Sequence, residues 1–109
     1  MVKIIQPAGI LDSINGNQLR REVSDAIDAG SHMILIDCET TTFMDSSGLG
    51  ALVMCLKKVR EVNGRLCLCS VNAQIKMLLE LTNMDNVFQI LQNREEFEYG
   101  IGQPQTSTY

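Results

Sequence analysis

The chain has 109 residues, 45% of them apolar, and a formal net charge of −4. That length and apolar content point to one domain with a real core. An acidic domain without a basic run argues against binding the phosphate backbone of DNA or RNA.

No apolar run approaches the ~20 residues that a bilayer span needs. Met1 to Pro7 is too short and too soon polar for a signal peptide, so a cytoplasmic protein without membrane insertion is expected. Val2 to Gln6 is a short strand candidate, closed by Pro7-Ala8-Gly9, and Ile10-Leu11-Asp12 reads as an exit into a loop. Asn15 is the expected cap of the first helix, with Gln18 at capping-box spacing. Leu19, Val23, Ala26 and Ile27 then share one helical face, and Gly30 stops the helix at the expected position.

Met33 to Asp37 is a second strand, apolar throughout and therefore expected to be covered on both faces. Glu39 to Thr42 reads as a polar connection. Leu49, Leu52, Val53, Leu56 and Val59 recur at intervals of three and four, the clearest helical pattern in the chain, and Asn63-Gly64 ends it. Arg65 to Val71 is a third strand, Asn72 caps a helix carrying Ile75, Leu78 and Leu79, and Val87 to Leu91 is a fourth strand. Asn93-Arg94-Glu95-Glu96 opens a last short helix anchored by Phe97. Residues 100–109 read as a polar, disordered tail behind a domain spanning 1–99. Strictly alternating strands and helices imply an α/β layer structure with a mostly parallel sheet of four or five strands and about four helices.

The four cysteines, Cys38, Cys55, Cys67 and Cys69, are expected as reduced thiols. Cys67 and Cys69 share one face of a strand whose other face carries Leu66 and Leu68. No second cysteine pair stands at ligand spacing and His32, the one histidine, is isolated, so no metal is expected there. Asp12, Asp37 and Asp45 could gather at one sheet edge, but acids at strand ends are common without a cation.

Between the second strand and the strongest helix stands Phe43-Met44-Asp45-Ser46-Ser47-Gly48-Leu49-Gly50. Its glycines are not followed by the glycine or lysine of a nucleotide-binding loop. A serine nucleophile would need a base, and His32 falls at the opposite end of the sheet, so no catalytic residue is assigned. Unpaired backbone N–H groups at a helix start do stabilise a phosphate. If Asp45 or Ser46 caps the helix, Ser47 keeps a free hydroxyl and is the better phosphate acceptor of the pair. Gly48 is then expected to clear room for another protein's catalytic groups.

That run, with Gly9-Ile10-Leu11-Asp12 before it and Asn63-Gly64-Arg65-Leu66 after it, resembles the STAS domain of bacterial anti-sigma-factor antagonists, from about Val2 to about Phe97. The resemblance implies a switch protein that is not an enzyme and carries no cofactor. Ser47 would accept phosphate from an anti-sigma-factor serine kinase, supported by Asp45, Ser46 and Gly48. Asp12, Asp37 and Leu49 are the candidate partner contacts. The unphosphorylated form would bind the kinase, phosphorylation would release it, and a PP2C-type phosphatase would reset the switch. A standalone STAS subunit of a membrane lipid-transport ATPase, or a STAS switch acting on a non-sigma target, are the alternatives. Members of that family usually carry one more strand before the segment matching Val2 to Gln6, so the sheet edge is a candidate homodimer contact.

Overall fold

The structure, a computed structural model, describes residues 2–101. Strands β1 (Val2–Ile5), β3 (Met33–Asp37), β5 (Arg65–Cys69) and β6 (Gln89–Leu91) form one parallel sheet in that order. Helices α1 (Ser13–Asp28), α2 (Ser46–Glu61) and α3 (Ala73–Leu81) alternate with them, and α4 (Arg94–Ile101) follows the last strand. The α/β class and the four-stranded parallel sheet are as the alternation of patterns predicts.

Two short strands were not expected. β2 (Gly9–Leu11) and β4 (Thr41–Met44) pair in parallel as a separate two-stranded ribbon. Ile10-Leu11 therefore extends a ladder instead of leaving for a loop, and Thr41-Thr42 is strand instead of connection. Such brief runs give too few residues for a two-residue period to show. Tertiary burial makes them strands: Leu11 and Met44 pair in register and are both buried, while Ile10 and Phe43 pair and face outward.

The first helix also begins earlier than expected. Asp12, not Asn15, is its N-cap, and Asp12 Oδ1 accepts the Asn15 N–H at 2.9 Å. Gly16 lies inside the helix, and it is glycine because a side chain there would collide with Ala51. Two other bounds shift. β5 ends at Cys69, and Val87 and Phe88 fall outside β6 because both donate to the Met84 carbonyl in a tight turn. α4 runs through Gly100 to Ile101, and the tail expectation for residues 102–109 lies outside the described residues.

The sheet has one heavily covered face. Ile34, Ile36, Leu66 and Leu68 pack there against Leu19, Val23, Leu52, Leu56, Val59, Ile75 and Leu79 from α1, α2 and α3. Each fully buried side chain of that kind stabilises the fold by about 1.5–3 kcal/mol. The opposite face is smaller: Leu35, Cys67 and Cys69 are closed over by Phe97 of α4. Leucines and cysteines of β5 thus point to opposite sides, as strand geometry requires.

Candidate functional site

β4 delivers the chain to the start of α2, and its last residue is held from outside the ribbon. The Gln74 amide donates to the Met44 carbonyl at 2.8 Å and accepts the Met44 N–H at 2.9 Å, acting as a substitute strand neighbour. The Asn72 amide donates to the Thr41 and Thr42 carbonyls while its oxygen caps α3 through the Ile75 N–H. The turn into α2 is therefore pinned by the first residues of α3. Nothing in the local sequence announces that link, because it joins positions 30 residues apart.

Asp45 is the N-cap of α2, and its carboxylate accepts the Gly48 N–H at 2.8 Å. That settles the cap between the two candidates: Ser46 and Ser47 are the first two helical residues, both exposed, and neither hydroxyl bonds to the described residues. The Ser46 and Ser47 N–H groups stand at the positive end of a 16-residue helix.

Gly48 does not clear room for a visitor. It is buried, and a Cβ there would fall 2.0 Å from the Leu11 carbonyl oxygen. The residue is glycine because α2 presses onto the end of β2. Gly50 is the glycine that leaves open surface, with nothing within 4 Å of a Cβ built on it.

Two of the expected partner contacts are placed differently. Leu49 is only 7% exposed and belongs to the main core. Its position in an apolar helical stripe, not at a surface, explains its identity. Asp37 is 1% exposed and accepts from Arg94 Nε at 2.6 Å and from the Glu39 N–H at 3.0 Å. Burial pushes its carboxyl up, but these hydrogen bonds and the guanidinium charge outweigh burial and hold it below its ordinary value. Asp37 thus ties α4 to the sheet. Asp12 stays at the edge as the cap of α1, beside the start of α2.

The three acids are each engaged locally, and no group of three or more metal-ligating side chains occurs among the described residues. Burial pushes the Cys38 thiol up to about 12 and those of Cys55 and Cys69 up to about 11, so they stay protonated.

Around the serines lies a surface that the sequence did not mark. Ile10, Phe43 and Ile14 are 51%, 46% and 75% exposed, all on β2, β4 or the first turn of α1. On the other side of Ser47 a groove of about 680 Å³ runs between α1 and α2, lined by Ser13, Asn17 and Arg20 on one wall and by Ser46, Ser47 and Gly50 on the other. Helix periodicity identifies buried stripes well, but an exposed isoleucine at the N-terminal turn of a helix breaks no periodic rule and so gives no signal.

The STAS domain model matches residues 1–97. The chain belongs to the STAS domain family. This STAS domain is 28% identical over 93 residues to the anti-sigma F factor antagonist of Paenibacillus polymyxa, covering 84% of this chain and 80% of that one. Among solved structures, TM1081 of Thermotoga maritima superposes with a TM-score of 0.84 at 26% identity, covering 92% of this chain and 86% of that one. The Bacillus cell fate determinant SpoIIAA in its phosphorylated form gives 0.68 at 25% identity over 88% and 87%. Among the described residues no helix of this STAS domain is long and apolar enough to cross a membrane.

Proposed function

We infer that this chain is a phosphorylation-controlled anti-sigma-factor antagonist that acts in the cytoplasm without catalytic activity of its own. In this reading an anti-sigma-factor serine kinase is both partner and modifying enzyme. The Ser47 oxygen attacks the γ-phosphorus of ATP, its proton is lost, and ADP leaves. A PP2C-type phosphatase hydrolyses the ester and restores the binding form. The observation that carries the reading is the division of labour at the α2 start: Asp45 supplies the cap, which leaves the Ser47 hydroxyl exposed and unengaged. The antagonist names of matched relatives and the phosphorylated form of SpoIIAA support it.

The switch needs no refolding. Phosphate adds about −1.5 to −2 charge at a helix start that offsets ~0.3–2 kcal/mol of it. One like-charge contact near 4 Å across an interface costs about 4 kcal/mol at an effective dielectric of 20, or close to three decades in affinity. The exposed Ile10, Phe43 and Ile14 supply apolar contact area for the unmodified form, with Asp12 at its rim.

Phosphosite mass spectrometry on the protein from its own cells, under several stress conditions and beside a Ser47→Ala strain, tests this. A single phosphate at Ser47 that rises and falls with conditions is expected. Absence of phosphate under every condition leaves Ser47 as an ordinary helix residue and favours a constitutive STAS subunit.

A further inference from the structure

Arg20 is an exposed cation with no ion pair or hydrogen bond to another described residue. It lines the groove that also holds Ser47, and Asn17 and Ser13 line the same wall between Arg20 and the mouth. The crossing of α1 and α2 fixes the relation. A Cβ on Gly16 would lie 2.7 Å from the Ala51 Cβ and 3.9 Å from the Ser47 carbonyl oxygen. Ala51 and Gly48 therefore mark the closest approach, with Ser47 one residue before Gly48, and Arg20, four residues or about 6 Å further along α1, stands level with Met54 and Cys55. Arg20 lines both this groove and the adjoining one beside Cys55, so its long, unpaired side chain is shared between them and can swing toward Ser47.

We propose that Arg20 captures the phosphate on Ser47 across this groove, so that modification withdraws a cation from the partner-facing surface while adding an anion. This rests on the phosphorylation reading and deepens it. A guanidinium presents a fork of donors that matches phosphate oxygens, with the Asn17 amide and Ser13 hydroxyl as neutral donors nearby. In the unmodified protein Arg20 is free to meet an acidic group of the kinase. In the modified protein the same guanidinium is engaged within the chain. The net charge changes by the phosphate's own, about −1.5 to −2, and the guanidinium that an acidic partner group would meet is no longer available to it. Opposing the capture are the carboxylates of Asp12 and Asp45 at the two helix starts. Thr82 and Met84, which close the groove from beyond α3, carry no charge. Lys57, Lys58 and Glu61 share with Arg20 the adjoining groove further along α2.

The test is a phosphorus NMR titration of the full chain with phosphoserine incorporated at position 47 during translation. Free phosphoserine loses its second proton near pH ~6. An ion pair favours the dianion, so Arg20→Gln is expected to raise the phosphate midpoint by about half a unit or more. Arg20→Lys, which keeps the charge but loses the fork, falls between. Arg21→Gln, on the neighbouring exposed cation outside the groove, leaves the midpoint unchanged. Equal midpoints for the parent and Arg20→Gln overturn the capture, as does a shift in Arg21→Gln as large as that in Arg20→Gln. Because the phosphate is built in, the result does not depend on any kinase. Missing phosphate in cells would remove the proposed function and leave the titration standing. Phosphate in cells with a flat titration would remove only the role of Arg20.

Discussion

Helices α1 and α2 start in nearly the same way and side by side, yet only the start of α2 presents a second exposed hydroxyl, that of Ser47. Each has an aspartate cap in extended conformation, Asp12 at φ −118° and ψ −162° and Asp45 at φ −102° and ψ −176°. Each cap accepts the N–H three residues on, at 2.9 and 2.8 Å, and each is followed by an exposed serine. They part at the next two positions. α1 places Ile14 and Asn15 there, and the Asn15 amide donates to the Ile10 carbonyl at 2.6 Å. α2 places Ser47 and Gly48, one a free hydroxyl and the other a buried contact with the Leu11 carbonyl. Capping chemistry is therefore not what distinguishes the site. A nucleophilic hydroxyl on a backbone held rigidly by its neighbour does.

The strongest way to break this comparison is to put negative charge on both starts. Ser47→Asp is expected to weaken binding of the kinase partner by about three decades when the charge meets a like charge in the interface. Ile14→Asp, on the other helix start, removes one apolar contact and meets no like charge, and is expected to cost about tenfold. Calorimetric titration of both variants against the kinase decides it; equal losses would mean that the partner reads the whole edge instead of α2.

Next come the third helical positions. Gly48→Ala drives a Cβ into the Leu11 carbonyl and is expected to cost about 3 kcal/mol in urea unfolding. Asn15→Ala, its counterpart in α1, gives up one hydrogen bond and loses about 1 kcal/mol. A small loss for Gly48→Ala would show that α2 can shift away from β2, and the rigid-backbone argument would fail.

Asp37, the third acid expected at this edge, sharpens the contrast from outside it. Asp37→Asn removes the charge that Arg94 and the Glu39 N–H hold, and about 2 kcal/mol of stability is expected to go with it. Its folded value lies below the ordinary one. The contribution is therefore fully present above the unfolded carboxyl value near pH ~4 and is lost as pH falls through the folded value. Unfolding measured from neutral to acid pH should show that acid-side loss in the parent and a flatter curve in Asp37→Asn.

The helices and the two central strands were legible because their apolar residues recur over five or more positions, and because Gly30 and Asn72 mark helix ends through local bonds. The candidate acceptor serine was legible from the run Asp45 to Gly48. Its surroundings were not. β2 and β4 are too short to show a period, and they exist because Leu11 and Met44 are buried together. The Asp37 pairing with Arg94 spans 57 positions, and the Gln74 hold on Met44 spans 30. Gly48 shows how a correct motif carries an incorrect reason: its smallness serves an internal carbonyl, while the open surface belongs to Gly50. Asp12 follows β2 directly and also caps α1, a second role that Asn15-Gly16 masks by offering another plausible cap three residues later.

The smallest effects test whether the two starts are equivalent as caps, which the argument requires. Asp12→Ala and Asp45→Ala each remove one charge-assisted bond to a backbone N–H, and each is expected to lose about 1 kcal/mol in urea unfolding. Ser47→Ala, whose hydroxyl bonds to nothing in the described structure, should change stability by less than about 0.5 kcal/mol. These three values belong together. Equal losses at the two aspartates with a near-zero effect at Ser47 mean that folding makes no demand on the serine, so its presence is explained by what modifies it. A loss at Ser47 as large as that at Asp45 would mean that the hydroxyl shares the capping work, and the free acceptor on which the functional reading depends would not exist.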